Sequence, residues 1–189
     1  MILKWNVDMR IVGGKYRHRL INWPCDMEIT RPTKDRIREA IFSALSFIDG
    51  YKSLDLYAGS GAMGIESISR GCSYCAFVDS SNIAIRTIQA NLSSLEAPRN
   101  EYELFAMTDL QAINKFKNNN TSFDLVFLDP PYKEGKYNEI IDILINDKLI
   151  KEKGIIVCEA DHTLSFDENS FTKIKEYKYG PIYVYILWR

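Results

Sequence analysis

From residue 53 onward the hydrophobic pattern switches repeatedly between two periods. Short, nearly continuous apolar runs at 53–57, 75–79, 102–107, 123–128 and 154–159 read as strands buried on both faces, whereas 62–70, 82–95, 109–117 and 137–147 carry apolar residues at helical spacing. Strands and helices in alternation require right-handed βαβ crossovers and a parallel sheet. The tail departs from that rule: residues 171–179 and 182–188 are β-rich and separated only by Gly180-Pro181, which predicts an antiparallel hairpin. The expected fold class is therefore α/β, a seven-stranded, mostly parallel sheet with an antiparallel last strand and helices on both faces. Upstream, Ile37, Ala40, Ile41, Ala44, Leu45 and Ile48 recur at helical spacing after Arg31-Pro32-Thr33, so a helix is expected to dock on the sheet through that stripe. Earlier still, strand-like runs flank Gly13-Gly14, a pair suited to a tight turn. This divides the chain into residues 1–30, an N-terminal extension with a basic β-hairpin, and residues 31–189, one larger domain.

Composition narrows the class. With 189 residues, 46% hydrophobic and 26% charged, the chain suffices for a sizeable core, and no run of about 18 apolar residues suggests a membrane span. The first residues lack the apolar stretch of a signal peptide, so the cytoplasm is the expected location. Cys25, Cys72, Cys75 and Cys158 fit free thiols of a reducing compartment: Cys72 and Cys75 have no second pair to complete a metal site, and no metal is expected. The net charge of −1 conceals an asymmetry. Residues 1–38 hold nine Lys/Arg against four Asp/Glu, and the remainder fifteen against twenty-one. A basic arm on an acidic body attracts a polyanion while keeping the protein in solution.

Two motifs carry candidate chemistry. Gly59-Ser60-Gly61-Ala62-Met63-Gly64 follows a strand and opens a helix, a weak signal that fits a dinucleotide as well as other nucleosides. Asp79 ends the next strand, where a carboxylate can accept both ribose hydroxyls of either ligand. Asp55 discriminates better. It precedes the glycine loop, where a pyrophosphate would be repelled and where the ammonium and sulfonium of S-adenosylmethionine would be attracted. Its plain structural reading is a turn former. Asp109 lies where such folds contact adenine, with helix capping as the structural reading.

The second motif, Asp129-Pro130-Pro131-Tyr132, follows the apolar run Phe123–Leu128. Adjacent prolines cannot continue a ladder, so the chain leaves the sheet rigidly at Asp129. An amine conjugated to a heteroaromatic ring is a poor nucleophile. If the Asp129 carboxylate and the Pro130 carbonyl each accept one of its N–H groups, its lone pair is freed and aimed, while Tyr132 can stack on an extruded base. The structural reading is a stiff loop at a strand end. His18 and His162 read as surface residues, the former a candidate phosphate contact.

In combination, Met9-Arg10-Ile11-Val12-Gly13-Gly14-Lys15-Tyr16, Thr30-Arg31-Pro32-Thr33 with Arg36 and Arg38, Leu54-Asp55-Leu56-Tyr57-Ala58-Gly59-Ser60-Gly61-Ala62-Met63-Gly64, Ser69-Arg70-Gly71, Phe77-Val78-Asp79 and the run ending in Asp129-Pro130-Pro131-Tyr132 resemble a known family. It is the bacterial 16S ribosomal RNA (guanine-966 N2)-methyltransferase family. The resemblance covers nearly the whole chain from Met9; residues 1–8 precede it. It implies a Rossmann-like class I methyltransferase fold and S-adenosylmethionine as donor. Its site set would be Asp129, Pro130, Pro131 and Tyr132 for catalysis, and Asp55, Tyr57, Ala58, Gly59, Ser60, Gly61, Gly64, Asp79, Ser80 and Asp109 for the cofactor. RNA contacts would come from Arg10, Lys15, Arg17, His18, Arg19, Arg31, Thr33, Arg36 and Arg38. The implied partner is 16S rRNA in the small ribosomal subunit or a late assembly intermediate, bound by a monomer. Competing readings are an adenine-N6 or protein-glutamine amino-methyltransferase, a non-catalytic rRNA-binding assembly factor, and a NAD-dependent oxidoreductase, the last disfavoured by Asp55.

Overall fold

The computed structural model describes residues 6–24, 35–131 and 135–189. Its elements are β1 (Asn6–Arg10), β2 (Leu20–Trp23), α1 (Asp35–Leu45), β3 (Lys52–Asp55), α2 (Ala62–Ser69), β4 (Tyr74–Asp79), α3 (Asn82–Ser94), β5 (Tyr102–Ala106), α4 (Asp109–Asn118), β6 (Phe123–Leu128), α5 (Tyr137–Asn146), β7 (Ile150–Ala160), β8 (Lys173–Tyr179) and β9 (Ile182–Trp188). β3 to β9 form a seven-stranded sheet in the order β5-β4-β3-β6-β7-β9-β8. β3 to β7 pair in parallel, and β9 runs antiparallel to both β7 and β8. The expected reversed last strand is present. β4 and β5 lie on one side of β3 and β6 and β7 on the other, so the connections change direction between β3 and β6, which opens a crevice at their carboxyl ends. Among the described residues no helix is long and apolar enough to cross a membrane.

Burial explains how the layers hold. Ile37, Ile41, Phe42 and Leu45 of α1 pack on Leu125 and Phe127 of β6 and Ile155 and Val157 of β7, the docking that the helical stripe called for. On the opposite face Ile113 and Phe116 of α4 and Ile140, Ile141 and Leu144 of α5 cover Leu54, Val126 and Ile156. Each fully buried side chain of this size stabilises the fold by roughly 1.5–3 kcal/mol. β7 begins at Ile150 rather than 154, because the ladder with β6 resumes across an irregularity between Phe123 and Leu125.

β1 and β2 pair as a hairpin, but not through the expected tight turn at Gly13-Gly14. Residues 11–19 form a broader connection with a 3-10 turn at Gly14–Tyr16. Contact with α2 forces that shape. The Ser69 hydroxyl donates to the Gly13 carbonyl at 2.5 Å and accepts the Tyr16 N–H at 2.9 Å. Gly14 has φ +73°, and a Cβ there would lie 1.7 Å from the Ser69 carbonyl oxygen. Met9, Ile11, Tyr16 and Ile21 share an apolar cluster with Ile65 and Ile68 of α2 and Ile88 and Leu92 of α3. The hairpin is seated on the sheet's helices rather than extended from them.

A buried charge network reinforces the seat. Glu66 of α2, fully buried, accepts the Val12 N–H at 2.9 Å and pairs with Arg70 at 2.6 Å and with Arg38 at 3.5 Å. Arg38 also donates to the Arg10 carbonyl and to Asp35 at 3.0 Å. Its guanidinium has no exposed surface, which corrects the expectation that Arg38 contacts RNA: the charge serves to join α1, α2 and the hairpin. Replacing it leaves buried carboxylate undercompensated. Arg38→Leu is expected to lower stability by roughly 3 kcal/mol in chemical denaturation, whereas Arg17→Ala, on the exposed hairpin tip, is expected to leave the midpoint unchanged.

Candidate active site

The carboxyl ends of β3, β4, β6 and β7 border a cavity of about 390 Å³. Its floor begins with Asp55, the last residue of β3, which is buried and accepts the Gly64 N–H at 2.9 Å. That bond joins the strand end to α2 across the glycine loop. Gly64 is required by packing, since a Cβ there would lie 2.3 Å from the Phe77 ring and 2.7 Å from the Cys75 sulfur of β4. Gly61 has φ +80° and packs against Ile88, so a side chain is excluded on two grounds. Burial pushes the Asp55 carboxyl up to about 7, against the Gly64 bond and with help from the Asp79 charge.

Asp79 closes β4 with both oxygens engaged, accepting the Gly59 N–H and the Ser81 N–H at 2.8 Å each. These bonds orient the carboxylate at the cavity, and its remaining lone pairs can take ligand hydroxyls. Ser80 lines the same wall. Asp109 is the first residue of α4, not its cap: Thr108 supplies the capping box with Gln111, and the Asp109 carboxylate instead accepts the Tyr57 hydroxyl at 2.7 Å. Tyr57, Ala58, Gly59 and Ser60 all line the cavity. The structure thus brings Asp55, the glycine loop, Tyr57, Asp79 and Asp109 around one space. Gly61 and Gly64 support its loop from behind.

Across the cavity, Asp129 follows β6 with Pro130 buried and Pro131 exposed. The Asp129 side chain is exposed to the cavity while recessed in the cleft. That enclosure raises its carboxyl above the usual carboxylate range, and the charges of Glu159 and Asp55 act in the same direction. Tyr132, Arg31, Thr33 and Cys25 lie outside the described residues.

Glu159, at the end of β7, lines the cavity and is 6% exposed. It was missed by the sequence reading, although it carries the same signal as Asp55, Asp79 and Asp129: an acid closing an apolar strand of the parallel sheet. Met9 of β1 and Trp23 of β2 were missed as well, and they make the hairpin one wall of the cavity. Asn91 of α3 reinforces that wall, accepting the Asn22 N–H at 2.7 Å and donating to the Asn22 and Ser60 carbonyls at 3.0 Å. It joins β2 directly to the glycine loop.

The expected RNA-contacting residues are spread over the outer face of the hairpin and α1. Arg17, His18 and Arg36 are exposed. Arg10 pairs with Asp35 at 2.9 Å, Lys15 with Glu101 at 2.6 Å, and Arg19 donates to the Ser94 carbonyl at 2.6 Å. His162 is exposed beside Asp161 and does not line the cavity. The Cys72 thiol, pushed up to about 12 by burial, and the Cys75 thiol, also raised by burial, are neutral packing groups.

A family model described as Conserved hypothetical protein 95 matches residues 9–188. The chain is 35% identical over 161 residues to YlbH of Bacillus subtilis, spanning 85% of this chain and 86% of that one. It is 31% identical over 178 residues to the ribosomal RNA small subunit methyltransferase D of Haemophilus influenzae, spanning 93% and 91%. Among solved structures, a conserved hypothetical protein of Streptococcus pyogenes superposes with a TM-score of 0.73 at 35% identity, covering 80% of this chain and 94% of that one.

The Asp55 environment sets a pH dependence of stability. Its folded value, about 7, lies above the unfolded value of 3.8, so its contribution is fully present below 3.8 and lost as pH rises through 7. Between pH 4 and 8 the ligand-free protein is expected to lose on the order of a few kcal/mol relative to Asp55→Asn, read as converging or crossing denaturation midpoints. A constant difference would refute the buried, neutral carboxyl.

Proposed function

We propose that this chain, which belongs to the family described as Conserved hypothetical protein 95, methylates the exocyclic N2 amine of a guanine in 16S rRNA of the small ribosomal subunit, the position numbered 966. At the coarser level it is an S-adenosylmethionine-dependent rRNA methyltransferase, as its relatives' names and its methyltransferase fold support. The observation that carries the finer reading is the facing of a carboxylate-bordered glycine loop and Asp129-Pro130-Pro131 across one cavity at the direction change of the sheet.

The residues present fit the donor. Asp79, held by two backbone N–H groups, suits a ribose diol, and the space beside Asp109 and Tyr57 suits an adenine. Asp55 suits an ammonium, and a cavity walled by Asp55, Asp129 and Glu159 would repel a pyrophosphate. When bound, S-adenosylmethionine would supply an electrophilic sulfonium methyl: the amine nitrogen bonds to that carbon as the carbon–sulfur bond breaks in line, giving methylated amine and S-adenosylhomocysteine. Asp129 and the Pro130 carbonyl hold the two amine hydrogens and orient the lone pair. As nitrogen becomes cationic, the Asp129 carboxylate stabilises the charge and accepts the proton, helped by a basicity raised above that of an ordinary carboxylate. Pro130 and Pro131 keep these acceptors fixed, and the exposed arginines of the hairpin and α1 engage RNA phosphates beside the wall formed by Met9 and Trp23.

Incubation with methyl-labelled S-adenosylmethionine and small subunits lacking the modification, beside free RNA, DNA and protein, is expected to label one guanine N2 in the subunits, mapped by nuclease digestion and mass spectrometry. Label on adenine or protein alone would replace the acceptor; cofactor binding with no label would favour a binding role. Asp129→Ala is expected to cut transfer by roughly 100-fold or more with cofactor affinity retained. Because the ionised form acts and its carboxyl is raised, wild-type transfer is expected to fall on acidification at a pH above the ordinary carboxylate range. Charge reversal at Arg17 and Arg19 is expected to weaken RNA binding and reduce the slope of log affinity against log salt by about one for each phosphate no longer neutralised.

A further inference from the structure

We propose that Glu159 reads the N1–H of the target guanine beside the N2 amine held by Asp129, so that two neighbouring carboxylates select a purine edge bearing two adjacent donors. The inference rests on the guanine reading above and assigns a specificity residue to that same site.

The sheet register supplies the geometry. Leu128 pairs with Cys158 and Phe127 with Val157 in the parallel ladder between β6 and β7. Glu159 is the next residue of β7 and Asp129 the residue that follows β6, so both come directly after one paired level of strands about 4.8 Å apart. Both border the cavity. Their closeness is also felt electrostatically, since the Glu159 charge raises the Asp129 carboxyl. The Glu159 main chain is fixed from behind, because the Tyr137 hydroxyl donates to its carbonyl at 2.6 Å. With about four lone-pair directions, a carboxylate can accept a base N–H alongside bonds to the protein.

The chemistry of base edges does the rest. Guanine presents N1–H and N2–H₂ side by side, a donor for each carboxylate. An adenine turned to offer its N6 amine to Asp129 would place the N1 lone pair against Glu159, acceptor against acceptor. A protein glutamine offers one amide nitrogen and no second donor at this spacing. Repulsion between the two carboxylates destabilises the empty pair and is relieved when two N–H groups enter between them. The pair therefore favours guanine both by attraction and by rejecting the wrong edge.

The test uses small subunits reconstituted with rRNA carrying either guanine or 2-aminopurine at the target. 2-Aminopurine keeps the N2 amine, replaces N1–H with a lone pair and also lacks the O6 carbonyl, so the change made by a Glu159 variant, rather than the wild-type preference, assigns the contact. Wild type is expected to prefer guanine in kcat/KM by roughly 100-fold. Glu159→Gln, whose amide can donate to that lone pair, is expected to narrow the preference at least about tenfold. Its fold is checked by circular dichroism. A wild type that methylates both bases equally, or a folded Glu159→Gln with the wild-type preference, overturns the role of Glu159 while leaving the proposed function standing. If guanine itself is not methylated by wild type, the proposed function fails and this inference with it. If Glu159→Gln does not fold, Glu159→Ala is compared on the same two substrates, and a folded Glu159→Ala that keeps the wild-type preference overturns the role of Glu159.

Discussion

Asp55, Asp129 and Glu159 stand at the carboxyl ends of three adjacent strands, β3, β6 and β7, around one cavity, and like charges crowded there repel. Parallel topology creates the crowding, because every strand between β3 and β7 delivers its carboxyl end to the same edge. Burial intensifies it at Asp55, raising that carboxyl to about 7, and enclosure in the cleft beside Glu159 and Asp55 raises Asp129 above the usual range. An arrangement so unfavourable when empty becomes favourable when cationic and N–H-bearing groups fill it. The packing of α1 against β6 and β7 and the close fit of Gly64 against Phe77 hold the carboxylates in place despite their repulsion.

The hairpin belongs to the same construction. Its residues Met9 and Trp23 wall the cavity, the Glu66 network fastens it to α1 and α2, and Asn91 ties β2 to Ser60 in the glycine loop. A surface proposed to hold RNA is thereby built onto the helices that frame the cofactor loop. Rigid attachment matters for such chemistry, since small displacements between amine and methyl donor weaken transfer steeply.

Much of this was legible in the sequence. Alternating apolar periods indicated the parallel sheet, Gly180-Pro181 indicated the final hairpin, and acids closing apolar runs marked Asp55, Asp79 and Asp129. Three things were not legible, each for a physical reason. The turn at Gly13-Gly14 depends on Ser69, distant in sequence, whose hydroxyl reshapes the connection. Arg38 resembled a phosphate ligand because residue type does not reveal burial, and only the meeting of α1, α2 and the hairpin engages its charge. Glu159 lacked a surrounding motif, and its meaning emerges only when the β6–β7 register sets it beside Asp129.

The central claim, that the buried Asp55 carboxyl holds a proton until a cation enters, is tested most directly by titration calorimetry of S-adenosylmethionine binding at pH 6.5 in buffers of differing ionisation enthalpy. With Asp55 raised to about 7, net proton release on binding is expected, and less release for S-adenosylhomocysteine, which lacks the sulfonium charge. Binding enthalpies that do not vary with buffer would mean that Asp55 is already ionised in the empty site, and would contradict it.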